Sequence, residues 1–364
     1  MQRTAPYVDA RYEWILAAKD VFMRPCMKGI SDQSIRLIHH LRHNPYVKPC
    51  GQRYAELIFK EASLFDESIQ MGKNKPVVDQ DPDRPWILLP TVKRLAADDK
   101  RLWALIESYN EPWTSCIPLA GLFPQPAYAV GFKQDVFTSE ELARLSALFG
   151  DPVTGQPSIV LASHNMFFSF LTCEVRTTDP WLNMADRQNV HSAAISIGGI
   201  VELFRAAGRA HEIDREILAF SVSHDQTVMR IYGHYPVITD EKTAYHRYPI
   251  YAFTISPQCT KNRWSAYQFT MNMYDTWMPH HLAKLRRAIN QLPLPPNADA
   301  AYADASYATT PQAVVSHAAL PRAVVSPVRQ LVSQDLTTRF DFCFSGLTGR
   351  LQEFQGFLGF QGLQ

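Results

Sequence analysis

The chain has 364 residues, 46% of them hydrophobic and 20% charged, which excludes wholesale disorder and leaves room for one large domain or two small ones. Its 36 Lys and Arg stand against 35 Asp and Glu, a net charge of +1. That balance excludes a protein whose whole surface lies on nucleic acid, because affinity there comes from neutralising phosphates; a nucleic-acid partner would need a local groove. The six cysteines (Cys26, Cys50, Cys116, Cys173, Cys259 and Cys343) are far apart with no C-x-x-C pair. Neither a zinc site nor a disulfide framework is expected, and the thiols read as reduced. Met1 to Asp20 carries charges throughout without an apolar core, so no secretory signal is expected, and the apolar run Ala193 to Val201 is too short to span a bilayer. The expectation is an intracellular protein, cytoplasmic or nuclear, with no membrane partner.

Residues 1–115 read as a helical N-terminal extension broken by Pro- and Asp-rich segments. Asp32 to His43 has helical spacing, with Ile35, Ile38 and Leu41 on one side. His39 and His43 stand there at i and i+4, but no carboxylate or Cys completes a metal site, so they read as solvated helix histidines. Residues 79–85 are a loop by composition, and Lys100 to Tyr109 reads as a helix with Leu102, Leu105 and Ile106 on one face. From Ala127 the pattern turns to strands. Ala127 to Phe132 is a short one; Thr138 with Glu141 forms a capping box for a helix that Gly150 ends. Phe167 to Arg176 is apolar on both faces until its last residues, as a buried central strand is.

A helix is expected from about Asn183 to Ala207, its apolar stripe being Val190, Ala194, Ile197, Val201 and Phe204. Glu216 to His224 and Thr227 to Tyr232 read as a hairpin turning at Asp225-Gln226, and Tyr251 to Ile255 as a further strand. Arg263 to Gln291 carries two helical stripes with Pro279 breaking the path between them. Residues 116–293 form the core in this reading. Residues 294–364 form a largely disordered tail rich in Ala, Pro, Ser and Val to about Ser333, with a Phe- and Gly-rich end whose docking is open. The fold class is therefore α/β, a mixed central sheet flanked by helices, with an N-terminal helical extension.

Chemistry enters at the end of the central strand, Cys173-Glu174-Val175-Arg176. Side chains two apart on a strand share a face, so Glu174 and Arg176 point into one cleft. The motif alone is weak, since charged residues end many strands. No Gly-rich phosphate loop, G-x-S-x-G elbow or H-E-x-x-H motif supports another chemistry. Gln188 and His191, three apart near the start of the next helix, share a face away from its apolar stripe; a solvated helix side is the bland account of both. Lys284, Arg286 and Arg287 lie late in a helix, where cations favour the dipole.

The segments PQPAYAVGFKQDVF, FFSFLTCEVR, NMADRQNVHSAAISIGGIVELFRA, REILAFSVSHDQTVMRIYGHYPVI and WMPHHLAKLRRAI together resemble an uncharacterised fungal family assigned a PD-(D/E)XK nuclease-like fold. The resemblance covers roughly Tyr7 to Pro293 and is densest after Pro124. It implies a magnesium site in which two carboxylates on adjacent strands hold the ion, helped by the carbonyl of the middle residue of E-x-K, while the Lys positions the attacking water. Carried onto this chain, Glu174 and the Val175 carbonyl are metal ligands, and Arg176 stands where the family has Lys. Ala127 stands where it has Asp, Gln188 and His191 lie over the cleft, and Glu107 is the Glu of the preceding helix.

Ala127 has no side-chain oxygen and Arg176 cannot give up its proton near neutral pH, so the implied function is a nuclease-like domain with catalysis lost or strongly reduced, kept as a binding module. Mg²⁺ is the cofactor if the domain is active, and none otherwise. An active Mg²⁺-dependent phosphodiesterase using Glu174 is one alternative. An interaction protein with no nucleic-acid role, consistent with the near-zero net charge, is the other.

Overall fold

A computed structural model of the chain describes residues 6–44, 91–92, 99–150, 156–176, 182–225, 227–240, 242–254 and 260–295. The loop expected at 79–85 and, beyond Pro295, the expected tail lie outside them. In chain order, a 3-10 turn at Pro6–Val8 precedes α1 (Tyr12–Ala17), β1 (Val21–Phe22) and α2 (Asp32–His43). Ser31 caps α2 by accepting from the Ser34 N–H at 3.2 Å, and Ile38 and Leu41 turn inward while Ile35 stays exposed. His39 and His43 are exposed with rings 4.5 Å apart, as solvated histidines are.

Lys100 to Tyr109 is not a helix. A single 3-10 turn at Lys100–Ala104, capped by the Asp99 carboxylate, leads into strand β2 (Leu105–Tyr109). The spacing of Leu102, Leu105 and Ile106 fits a helix, but pairing with a neighbouring strand decides the matter over so short a run. β3 (Tyr128–Phe132), α3 (Ser139–Phe149) and β4 (Phe167–Val175) follow. α3 has its expected capping box, Thr138 Oγ1 accepting from the Glu141 N–H and Glu141 Oε2 from the Thr138 N–H, and Gly150 ends it at φ 94°.

The long helix α4 (Leu182–Ala206) precedes β5 (Ala219–His224), β6 (Val228–Ile238) and β7 (Thr243–Thr254). The Asp225 carboxylate makes the hairpin turn by accepting from the Thr227 and Val228 N–H groups. β6 and β7 run well past their expected lengths, through Pro236 and Pro249, because they pair with each other along nearly their whole length with a bulge at Ile231/Tyr232. α5 (Thr260–Asn272) and α6 (Met278–Ile289) close the described part. Pro279 does not break the path: a π-helical turn at Met273–Trp277 carries it through, and the proline takes the first turn of α6, where its missing N–H costs nothing.

The seven strands form one mixed sheet in the order β1-β7-β6-β5-β4-β3-β2, parallel at β1–β7 and β4–β5 and antiparallel elsewhere. Residues 1–115 therefore supply both edge strands, β1 and β2, besides helices. α4 packs on one face. On the other, Phe220 meets Phe269 and Trp277 edge-on at 5.7 and 5.0 Å. Lys284 and Arg286, on α6, pair with Glu216 and the buried Glu141, so these cations fasten α6 to the fold. Among the described residues no helix is long and apolar enough to cross a membrane.

Candidate functional site

The strand register aligns a polar row on the face that α4 covers. Glu174 lies opposite Ser223, and Ser223 opposite Arg230; Ala127, the residue before β3 and one beyond the Tyr128–Cys173 pair, hydrogen-bonds the Glu174 carboxyl through its backbone N–H. The adjacent row on this face is Ala129, Thr172, Ser221 and Tyr232. An apolar strand can bury such residues only if a partner satisfies them, and Asn189 of α4 does so. Its Oδ1 accepts from Thr172 Oγ1 at 2.7 Å, and its Nδ2 donates to the Val222 carbonyl at 2.8 Å and to Ser223 Oγ at 3.0 Å. Three residues before it, the buried Asp186 carboxylate takes Arg230 at 3.0 Å, Tyr232 Oη at 3.2 Å and Arg247 at 3.3 Å. These contacts set the rotation and height of α4 over the strand ends.

That placement brings together four of the expected site residues, Glu174, Val175, Arg176 and Gln188. Arg176 Nη2 donates to Gln188 Oε1 and lies 3.7 Å from Glu174 Oε2, while Nη1 donates to the Val175 carbonyl at 3.2 Å. Gln188 is thus half-buried on the cation and is not part of a solvated helix side. His191 is wholly buried: its Nδ1 faces Tyr7 Oη at 2.7 Å and Tyr12 Oη at 3.1 Å, so it fastens the N-terminal segment, whose Tyr7 lies near Glu174. Arg187 fastens the same segment, donating to Glu13 and to the Tyr7 carbonyl, each at 3.0 Å.

Glu107 does not belong to the site. It lies on β2 and is on the face away from α4, where its Oε2 accepts from the Val92 N–H at 2.7 Å and from Tyr128 Oη at 2.9 Å. Since Tyr128 pairs with Cys173, its side chain points opposite to Glu174, and Glu107 goes with it. The expectation of a catalytic Glu on a preceding helix failed with the helix itself. Asp135 is at the far end of β3 from Ala127.

Burial dominates the electrostatics. Glu174 is 2% exposed, and desolvation pushes its carboxyl up to about 8; the Arg176 guanidinium and the Ala127 backbone N–H pull it down without offsetting the burial. Desolvation likewise holds His191 down to about 4, so it stays neutral beside the two phenols. At neutral pH the cleft therefore holds a protonated carboxyl and a fixed cation. Mg²⁺ asks for carboxylates and room for its waters. Here Ala127, whose backbone N–H meets Glu174, offers no side-chain oxygen, and the Val175 carbonyl and Gln188 Oε1 are engaged by Arg176. The residues present do not fit the ion. Among the described residues no group of three His, Cys, Asp or Glu could hold a metal.

Glu174 should reveal its state through pH. Its folded-state value near 8 lies above the ordinary 4.5, so between the two the native state keeps a proton that the unfolded chain releases, and stability falls as pH rises. The unfolding free energy of wild type minus that of Glu174→Gln is expected to drop by about 1.4 kcal/mol per pH unit from roughly pH 5.5 to 7.5. The buried histidines cancel in this difference. Urea titrations at stepped pH measure it, and a flat difference would mean that Glu174 is ionised in the native state.

Residues 74–289 match a family described as a domain of unknown function (DUF7924). No curated protein and no solved structure matches the chain.

Proposed function

The chain belongs to the DUF7924 family, which carries no assigned activity, and from its site we propose a nuclease-like domain with catalysis lost or strongly reduced, kept as a binding module. The observation that carries this reading is that Ala127, just before β3, reaches the Glu174 carboxyl with its backbone N–H, at the strand ends where a PD-(D/E)XK site would place its two carboxylates. The order of strands, with α4 crossing from β4 to the parallel β5, supports it as well. With one protonated carboxyl in place of two ionised ones, the cleft cannot gather the charge that holds a catalytic metal and activates water. A nucleic-acid partner would be met by a local groove, since the chain has no basic excess.

The purified protein is expected to show no Mg²⁺- or Mn²⁺-dependent cleavage of DNA or RNA above background. Changing Ala127→Asp together with Arg176→Lys is expected to create divalent-metal binding measurable by calorimetry, with each single change doing less because both act on one site. Cleavage by the unmodified protein that vanishes in Glu174→Gln would favour an active phosphodiesterase instead. Absence of any binding to single- or double-stranded nucleic acid at low salt would favour a protein-interaction role.

A further inference from the structure

The Arg176 guanidinium lies against the acceptors that a divalent ion would need. Nη1 takes the Val175 carbonyl at 3.2 Å, Nη2 takes Gln188 Oε1, and Glu174 Oε2 is 3.7 Å away. A guanidinium has donors in a fixed plane and no acceptor, so it can bridge several oxygens at once, which a lysine ammonium on its flexible stem does less well. Its placement is built into the fold. The Arg176 backbone N–H donates to the His224 carbonyl at 2.9 Å, tying the residue after β4 to the end of β5. Gln188 comes from α4, whose position Asn189 and Asp186 fix. The side chain is 27% exposed, so one edge of the cation meets solvent while Nη1 and Nη2 are held; its Nε is buried with no hydrogen-bond partner among the described residues.

Resting on the nuclease-like reading, we propose that Arg176 is a permanent internal cation that fills the place of a divalent metal, with Gln188 as the latch that holds it there. The site is then loaded by its own side chain, and the domain folds and binds without divalent ions.

The test is thermal melting of the full chain with and without cations. The wild-type melting temperature is expected to be the same in millimolar Mg²⁺, in millimolar Mn²⁺ and in chelator. Arg176→Ala is expected to melt several degrees lower, and millimolar methylguanidinium or Mn²⁺ to recover part of that loss. The recovery should be absent from the double variant Arg176→Ala with Glu174→Gln. If Arg176→Ala does not fold, Arg176→Gln, which removes the charge and keeps an oxygen acceptor near the site, is expected to gain a Mn²⁺-dependent shift that the wild type lacks.

A Glu174-dependent Mn²⁺ shift in the wild type would overturn both this inference and the silent-nuclease reading. An Arg176→Ala variant that melts like wild type, or that neither cation restores, would overturn the inference alone, as would an Arg176→Gln variant without the shift.

Discussion

Replacing Gly199 with alanine is expected to destabilise the protein by at least about 3 kcal/mol, beyond ordinary overpacking. A Cβ built on Gly199 would lie 2.0 Å from the Ile159 carbonyl oxygen and 2.9 Å from its carbon. Both are backbone atoms and cannot swing aside, so α4 or the segment around Ile159 must move. Its neighbour Gly198 supplies the control. There the nearest atom to an added Cβ is Tyr245 Oη at 3.5 Å, an ordinary contact, and alanine in a helix interior is favoured over glycine by roughly 1 kcal/mol. Gly198→Ala should therefore be neutral or stabilising. Urea midpoints of the two variants, one residue apart on one helix, should move in opposite directions. Equal midpoints would mean that α4 does not approach Ile159 as closely as described. The consequence reaches the site, because α4 carries Gln188 and Asn189.

The second large effect is expected at Asp186. Its carboxylate is 3% exposed and takes Arg230 and Arg247 at 3.0 and 3.3 Å, with Tyr232 Oη at 3.2 Å. Arg247 also lies over the Tyr232 ring at 4.1 Å and donates to the Met23 carbonyl, so the cluster joins α4, β6, β7 and the chain just after β1. Asp186→Asn keeps the shape and removes the charge, leaving two guanidinium groups facing each other without an anion. Breaking a buried pair from one side costs about 3–5 kcal/mol, mostly from the uncompensated charge. The double variant with Arg247→Met should recover part of the loss, since it removes one of the stranded cations. Urea unfolding of the single and double variants checks this, and a change within about 0.5 kcal/mol for Asp186→Asn, the level of a plain surface substitution, would show that the cluster is solvated.

Much of the fold was legible in the sequence wherever a local rule sufficed. The capping box at Thr138 and Glu141, the 25-residue span of α4 and the apolar run of β4 each follow from spacing within one segment, and all three appear close to their expected bounds. The place of Glu174 at the end of β4 was legible because it is a charged residue closing an otherwise apolar strand, and strand parity fixes which side chains share its face.

What failed was decided by pairing. Leu105–Tyr109 has helix-compatible spacing, and only β3 alongside makes it a strand, which turned Glu107 away from the cleft. The polar side of α4 reads as solvated because a helix alone cannot say what covers its second face. The turn and helix from Pro6 to Ala17 cover part of it, with Tyr7 and Tyr12 brought to His191 from more than 170 residues away in sequence. Asn189 and Asp186 carried no signal for the same reason: their partners lie on strands distant in the chain. The sequence by itself determined the identities at the site, one carboxylate, one guanidinium and an alanine at position 127. Tertiary packing alone decided that Glu174 is buried enough to hold its proton and that Gln188 fixes Arg176 beside it, because desolvation and long-range hydrogen bonds exist only once the sheet and α4 are assembled.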